Sequence, residues 1–173
     1  SGTNWSTRIG GTTPGCLKIR NYSIASGTVF TDEDAKTGKK VCVIGKTIVK
    51  NLFGEGADPL GREMRIKNIP FTIIGVLKEK GSNSFGQDQD DIILAPLATV
   101  MKRLQGITFL NDIFVSTVSE KESAAARAEI VRIMRQQHKL QPSDENDFRV
   151  RSQVEMAQTA QQSTDTLSLL LQS

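Results

Sequence analysis

Three groups of residues in this 173-residue chain could carry chemistry: a Gly-Lys-Thr triplet, a cluster of aspartates and a single histidine. The triplet is Gly45-Lys46-Thr47, and a P-loop ends in the same GK[ST] pattern between a strand and a helix. The first glycine of that motif falls at position 40, which is Lys40. Because the phosphate cradle needs that glycine, the triplet does not predict a nucleotide site.

The aspartates and the histidine also lack the neighbours that a reactive centre needs. Asp88, Asp90 and Asp91 offer oxygen ligands, but their spacing lacks the central glycine and distal glutamate of an EF-hand, which favours a solvated acidic loop. His138 lies near the end of its predicted helix, where a capping role is ordinary. No serine lies in a G-x-S-x-G elbow, and no carboxylate pair has a spacing that suggests acid/base catalysis. We therefore expect no catalytic residue, metal site or cofactor.

Composition limits the class of protein. Hydrophobic residues make up 38% and charged residues 24%, which predicts a folded chain. The net charge is +3, aromatic residues are 5%, and Lys and Arg are dispersed, so nucleic acid binding is disfavoured. No stretch approaches the roughly 20 apolar residues of a membrane span, and the N-terminus lacks signal-peptide features, so the polypeptide as given is expected to be soluble.

The two cysteines have no metal-site spacing. Cys42 alternates with strand-type residues and is predicted to be a small buried apolar residue. A disulfide between Cys16 and Cys42 stays open, because neither their distance nor the redox compartment follows from sequence.

Hydrophobic periodicity predicts short strands alternating with helices. Hairpin-like neighbours are mixed with strand-helix units, which indicates an α+β fold with small mixed sheets and packed helices. The predicted strands are 5–9, 28–30, 40–44, 63–66, 71–77, 92–95, 112–119 and 148–151, and the predicted helices are 32–37, 47–53, 96–104, 121–138 and 153–171.

Two segments suggest contacts with partners. Residues 80–91 are rich in turn formers and lack periodicity, which predicts an exposed, mobile loop carrying one aromatic residue, Phe85. Such a loop is either an ordinary flexible connection or a docking element. The final helix places apolar or small residues at spacings of three and four, a seam that needs a partner helix.

Several short motifs, in order, resemble the periplasmic domain of MacB-type permeases in the FtsX-like group. No one of them is specific, and the resemblance lies in their order and spacing from Gly11 to Leu171. They are Gly11-Thr12-Thr13-Pro14, Ile19-Arg20, Ala25-Ser26-Gly27, Val41-Cys42-Val43-Ile44-Gly45, Leu52-Phe53-Gly54, Asp58-Pro59-Leu60-Gly61, Pro70-Phe71-Thr72-Ile73-Ile74-Gly75-Val76, Asp90-Asp91, Ala95-Pro96-Leu97 and Thr164-Asp165-Thr166-Leu167.

The resemblance implies a two-part domain between the first and second membrane helices of a permease. A porter-like part is expected from residues 1–23 and 105–173, with an inserted second lobe at 24–104. Family members carry an additional stretch before the equivalent of Trp5, so the porter-like part is expected to be incomplete, with a sheet edge covered by a partner or neighbouring copy. Cys16 stands where an aromatic residue is more usual.

The resemblance also implies a function without catalysis in this fragment. The domain is expected to lie in the periplasm, as part of an inner-membrane ABC efflux permease that exports macrolides, peptides or similar compounds. The implied partners are a membrane-fusion adaptor, an outer-membrane channel reached through that adaptor, and a second permease copy. A separate cytoplasmic ATPase domain is expected to drive motion through the final helix near Leu167 and Leu171.

The candidate docking residues are Ser82, Phe85, Asp88 and Asp90, all in the loop at 82–91. Three alternatives remain: a lipoprotein-releasing permease ectodomain, a free periplasmic binding or scaffolding protein, and an NTP-binding enzyme. A hydrophobic lipid-accepting surface would identify the lipoprotein-releasing permease. A free periplasmic protein or an NTP-binding enzyme would have no flanking membrane spans.

Overall fold

The computed structural model describes residues 4–83, 86–156, 158–159 and 161–162. The chain divides into two compact units, Ser1–Val115 and Ser116–Ser173. The elements, in chain order, are β1 (Arg8–Thr12), α1 (Pro14–Ile19), β2 (Ile24–Gly27), α2 (Asp32–Thr37), β3 (Val41–Ile44), α3 (Lys46–Phe53), β4 (Glu63–Ile66), β5 (Ile69–Leu77), β6 (Ile92–Pro96), α4 (Leu97–Thr99), a π-helical turn (Val100–Gln105) and α5 (Glu120–Gln137).

The first unit is built on one six-stranded mixed sheet with the order β1-β6-β3-β5-β2, and β4 pairs with the first half of β5. The β1/β6 and β3/β5 pairs are parallel, whereas the β3/β6, β2/β5 and β4/β5 pairs are antiparallel. A mixed sheet with packed helices confirms the predicted α+β class. It is a single sheet, in which β2 pairs with β5 while β6 pairs with both β3 and β1.

The centre of the sheet is covered on both faces. Cys42 and Ile44 of β3 point into a core with α3 and the π-helical turn, whereas Val41 and Val43 point to the opposite core with α1 and Phe30. All four β3 residues are buried, which explains why this strand reads as a continuous apolar run. Burial raises the pKa of the Cys42 thiol to about 12, so the side chain behaves as the predicted small apolar residue.

The hairpin between β4 and β5 is tighter than its sequence indicates. Both strands were expected, with residues 67–70 as a long loop between them. Instead Lys67 and Asn68 both have positive φ angles, 48° and 65°, and form a two-residue turn. Two left-handed central residues match the right-handed twist of paired strands, so β5 begins earlier, at Ile69.

β1 lies three residues later than predicted, and it includes the two glycines that were expected to end it. Gly11 approaches the π-helical turn closely: a Cβ atom built there would lie 2.7 Å from Cβ of Val100. These glycines therefore permit close packing of a strand against a helix and do not form a turn.

Three further elements can be compared with their predicted bounds. A strand was expected at 28–30, and β2 instead occupies the residues directly before that range, Ile24–Gly27. α2 begins at a capping box in which Thr31 and Asp34 exchange side chain to backbone hydrogen bonds of 2.9 and 3.1 Å. The helix expected at 96–104 begins as α4 and continues as the π-helical turn from Val100.

The second unit contains α5, which lies within one residue of its predicted bounds. Arg135 on this helix donates hydrogen bonds to the Asp144 and Gln141 carbonyls, and Nδ1 of His138 lies 2.8 Å from Asp147. His138 is also the helix C-cap, as predicted.

The strands predicted at 112–119 and 148–151 are not strands in the structure. The residues have strong β propensity, but a strand also requires a paired neighbour, and none of the described residues pairs with them. The predicted lobe limits of 24 and 104 stay a prediction.

Candidate docking interface

The candidate loop lies at the end of the sheet where β3 and β5 finish and β6 begins. Two connections meet there: Gly45, which joins β3 to α3, and residues 78–91, which join β5 to β6. The Gly45 N–H donates to the carbonyl of Ile92, the first residue of β6, at 2.9 Å. This bond holds the start of α3 beside the end of the loop.

Asp90 anchors the base of this loop. The residue is 4% exposed, and its carboxylate accepts hydrogen bonds from the backbone N–H groups of Lys80, at 2.9 and 3.1 Å, and Gly81, at 2.7 Å. A buried carboxylate with charge-assisted bonds of this kind stabilises a loop strongly. Asp90 thus closes the loop base, and its side chain is not presented at the surface as the docking hypothesis assumed.

Asp88 ties the same loop to α3 and β1. One carboxylate oxygen accepts from Thr47 Oγ1 at 2.7 Å, and the other accepts from the Asp90 N–H at 2.7 Å. The Arg8 guanidinium donates to the Asp88 carbonyl oxygen at 2.9 Å. The Thr47 hydroxyl, followed by the backbone N–H groups and Arg8, holds the pKa of Asp88 below its usual value.

Replacing Thr47 with valine should raise the pKa of Asp88 toward the usual aspartate value of about 3.9. Because the folded-state pKa is lowered, the stabilisation from Asp88 is complete above the unfolded pKa and is lost as the pH falls through the folded one. An NMR titration of the Asp88 carboxyl carbon measures this shift. Thr72→Val, at an exposed position on β5, is the control; an Asp88 titration that Thr47→Val leaves unchanged contradicts the assignment.

The described part of the loop tip is a compact turn. Ser82 and Asp88 form an isolated antiparallel bridge, and the Asn83 N–H donates to the Gln87 carbonyl at 2.9 Å. Ser82 is exposed. Phe85 lies outside the described residues, as do the coupling residues Leu167 and Leu171, so these predictions stay untested.

Contacts that sequence reasoning missed join this loop to distant parts of the chain. Trp5 Nε1 donates to Asp91 Oδ1 at 2.9 Å, and Lys80 Nζ lies 4.4 Å from the Tyr22 ring centroid and donates to the Arg20 carbonyl at 3.0 Å. The several aspartates of the loop were the available sequence signal for such contacts, because carboxylates that become buried need hydrogen-bond donors. The identity of those donors depends on strand order, which local pattern does not specify.

The structure also describes the Gly45-Lys46-Thr47 triplet and the two cysteines. In the Gly45-Lys46-Thr47 triplet, the threonine hydroxyl is bonded to Asp88 and the lysine is exposed. Cys16 and Cys42 are both free thiols. Across the described residues no cluster of three or more His, Cys, Asp or Glu side chains could hold a metal ion, and no described helix has the length and hydropathy of a membrane span.

Comparison with known proteins provides the decisive observation. The model of the MacB-like periplasmic core domain matches residues 1–133, which is more than half of the chain. The chain belongs to this family. The sequence resemblance is thereby confirmed, and the membership extends across all six strands of the sheet and into α5.

Relatives of the MacB-like family support this membership along nearly the whole chain. The macrolide export ATP-binding/permease protein MacB of Syntrophobacter fumaroxidans is 32% identical over 97% of this chain and 31% of its own length. The MacB of Wolinella succinogenes is 37% identical over 96% of this chain and 25% of its own length. The chain therefore spans about a quarter to a third of the relatives that it matches.

Solved structures share the fold of this MacB-like chain. The extracellular domain of the noncanonic ABC-type transporter YknZ from Gram-positive bacteria superposes with a TM-score of 0.68 at 23% identity, covering 80% of this chain and 68% of that one. The periplasmic region of MacB from Actinobacillus actinomycetemcomitans superposes with a TM-score of 0.66 at 19% identity, covering 91% and 67%. At these identities the similarity establishes the fold.

Proposed function

We propose that this chain is the extracytoplasmic domain of an ABC-type efflux permease, and that it docks a membrane-fusion adaptor and transmits the ATP-driven conformational change of the transporter. The observation that carries the proposal is the match of the MacB-like periplasmic core domain over residues 1–133. Relatives named for macrolide export support macrolides or similar amphipathic compounds as the exported class. The parent protein is then in the inner membrane, with this domain in the periplasm.

Neither docking nor mechanical coupling needs chemistry in the domain itself. Rigid-body movement of a domain is sufficient to open or close a path, provided that the domain has a stiff core and a defined contact surface. The buried centre of the sheet supplies the core: Cys42, Val43, Ile44, Phe71 and Ile73 are fully buried. An outer-membrane channel is reached through the adaptor, and a second permease copy completes the transporter.

The loop from Ser82 to Asp91 is the proposed primary contact with the adaptor. Its base is held by Asp90 and Asp88, so its tip is presented by a rigid scaffold. Pre-organised loops lose less conformational entropy on binding than mobile ones. Phe85 supplies the apolar contact in this proposal, and Ser82 a polar one.

Replacing Phe85 with serine and Asp88 with alanine together should weaken adaptor binding at least fivefold without unfolding the domain. Aromatic side chains at loop tips are frequent binding hot spots, and loss of the Asp88 anchor loosens the tip. Biolayer interferometry with the membrane-fusion protein encoded in the same genome measures the affinity, and circular dichroism checks the fold. Asp112→Ala, at an exposed position in the same unit, is the control; unchanged affinity for the double variant rejects the loop as the docking element.

A further inference from the structure

An apolar cleft of about 430 Å³ lies beside the loop, on the face of the sheet that α3 covers. Apolar side chains from α3, β5 and the segment before β4 line it, and they include Val49, Val76, Leu60 and Ala57. The volume falls within the range of about 300–1,000 Å³ typical of ligand sites. It is sufficient for one or two large side chains of a partner.

β2, which lines one side of this cleft, is an edge strand of the sheet. β2 is the last strand in the sheet order, so among the described residues no strand pairs with the edge that faces away from β5. Ala25 and Ser26 line the cleft directly, and both are exposed. A free edge presents a row of backbone donors and acceptors, which is the arrangement that an extended peptide recognises.

Charges are distributed unequally along the cleft. The end at the start of β2 holds Lys46, Lys78 and Glu79, and the Lys78 N–H bonds to the Ser23 carbonyl there at 2.8 Å. The opposite end holds Asp58, whose carboxylate accepts from the Leu60 N–H at 3.0 Å.

Among the described residues, none of these four charged side chains forms an ion pair. The cleft is therefore positive at one end and negative at the other. A segment with the opposite polarity fits it best.

We propose that an extended segment of the adaptor protein adds to the edge of β2 as a further strand, with one apolar side chain in the cleft. The charges orient it: an acidic residue of the segment lies near Lys46 and Lys78, and a basic residue lies near Asp58. This inference rests on the proposed adaptor docking and adds a second contact to the loop, because both features flank the start of α3. Backbone pairing provides affinity, and the apolar pocket with its two charged ends provides specificity.

The test compares three forms of the full 173-residue chain in binding to the membrane-fusion protein of the same genome. Lys46→Glu combined with Lys78→Glu reverses the positive end, and Ala57→Trp fills the apolar cleft without changing charge. Each should weaken binding at least tenfold. Hydrogen exchange should show that the adaptor protects those β2 amides that face away from β5.

The matched control is Lys50→Glu, one turn further along α3 at an exposed position outside the cleft, and it should retain wild-type affinity. A negative charge favours the first turn of a helix and disfavours the last. Weaker binding by the Lys46→Glu/Lys78→Glu variant with retained binding by Lys50→Glu therefore cannot be attributed to a loss of α3 stability.

The outcomes separate this proposal from the proposed function. If the wild-type chain binds the adaptor and the cleft variants bind equally well, the cleft proposal is wrong and adaptor docking stands. If the wild-type chain does not bind the adaptor, both are wrong. If the chain self-associates in light scattering and the cleft variants abolish that association, the occupant is a second copy of this chain and the adaptor assignment is overturned.

Discussion

Replacing Gly45 with alanine is expected to lower the free energy of unfolding by about 3 kcal/mol, at the upper end of the usual cost of overpacking a buried site. Gly45 is buried between β3 and α3, and a Cβ atom there would lie 2.0 Å from the Asp90 carbonyl oxygen and 2.7 Å from its carbonyl carbon. The φ angle of Gly45 is −78°, which any residue adopts. The glycine is therefore required by the close approach of the Asp90 backbone, and urea denaturation followed by circular dichroism measures the cost.

Gly15→Ala provides the matched comparison for Gly45→Ala. Gly15 lies in α1, and a Cβ atom there meets nothing within 4 Å. Alanine in a helix is favoured over glycine by roughly 1 kcal/mol, so this variant should be as stable as the wild type or slightly more stable. Equal stabilities of the two variants contradict the packing argument for Gly45.

Asp90→Ala is expected to cost about 3 kcal/mol and to release the base of the loop between β5 and β6. The substitution leaves the N–H groups of Lys80 and Gly81 without their acceptor at a site where the residue is 4% exposed. Each unsatisfied buried donor costs about 1–3 kcal/mol, reduced where water can enter. Chemical denaturation measures the total, and amide exchange at these two residues should accelerate.

Asp112→Ala is the control for Asp90→Ala, because Asp112 is exposed. It should change stability by less than about 0.5 kcal/mol. Asp90→Asn retains one acceptor oxygen and should have an intermediate effect. If Asp90→Ala is as stable as the control, the carboxylate does not support the loop.

Local sequence pattern was sufficient to predict the bounds of several strands and helices. β3 was predicted within one residue because its four consecutive apolar residues are a distinctive pattern, and β4 because its residues alternate between polar and apolar. α3 and α5 were also predicted within one residue at each end. In each of these elements the residues that define the pattern are contiguous in sequence.

The differences occur where tertiary contacts override local pattern. Gly10 and Gly11 belong to β1 because the parallel pairing with β6 and the approach of Val100 require small residues. Residues 112–119 have high β propensity and are not a strand, since propensity without a paired neighbour does not form a sheet. The order of strands in the sheet had no local signal at all.

The candidate site was predicted in part. The loop at 80–91 was located correctly between β5 and β6, and its aspartates were recognised, but the hydrogen bonds that they form depend on partners elsewhere in the chain. Asp90 bonds to residues 9 and 10 positions away, and Asp88 bonds to Thr47, 41 positions away. The cleft beside β2 could not be predicted, because its walls come from four parts of the chain, α3, β5, β2 and the segment before β4, which adjoin only in the folded protein.

The most direct test of the account is the sequence of the coding region on both sides of this fragment. If the chain belongs to a MacB-type permease, the upstream region encodes an ATPase domain followed by one membrane helix, and the downstream region encodes three further membrane spans. A signal peptide immediately upstream and a stop codon immediately downstream would instead identify a free periplasmic protein and contradict the proposed transport function.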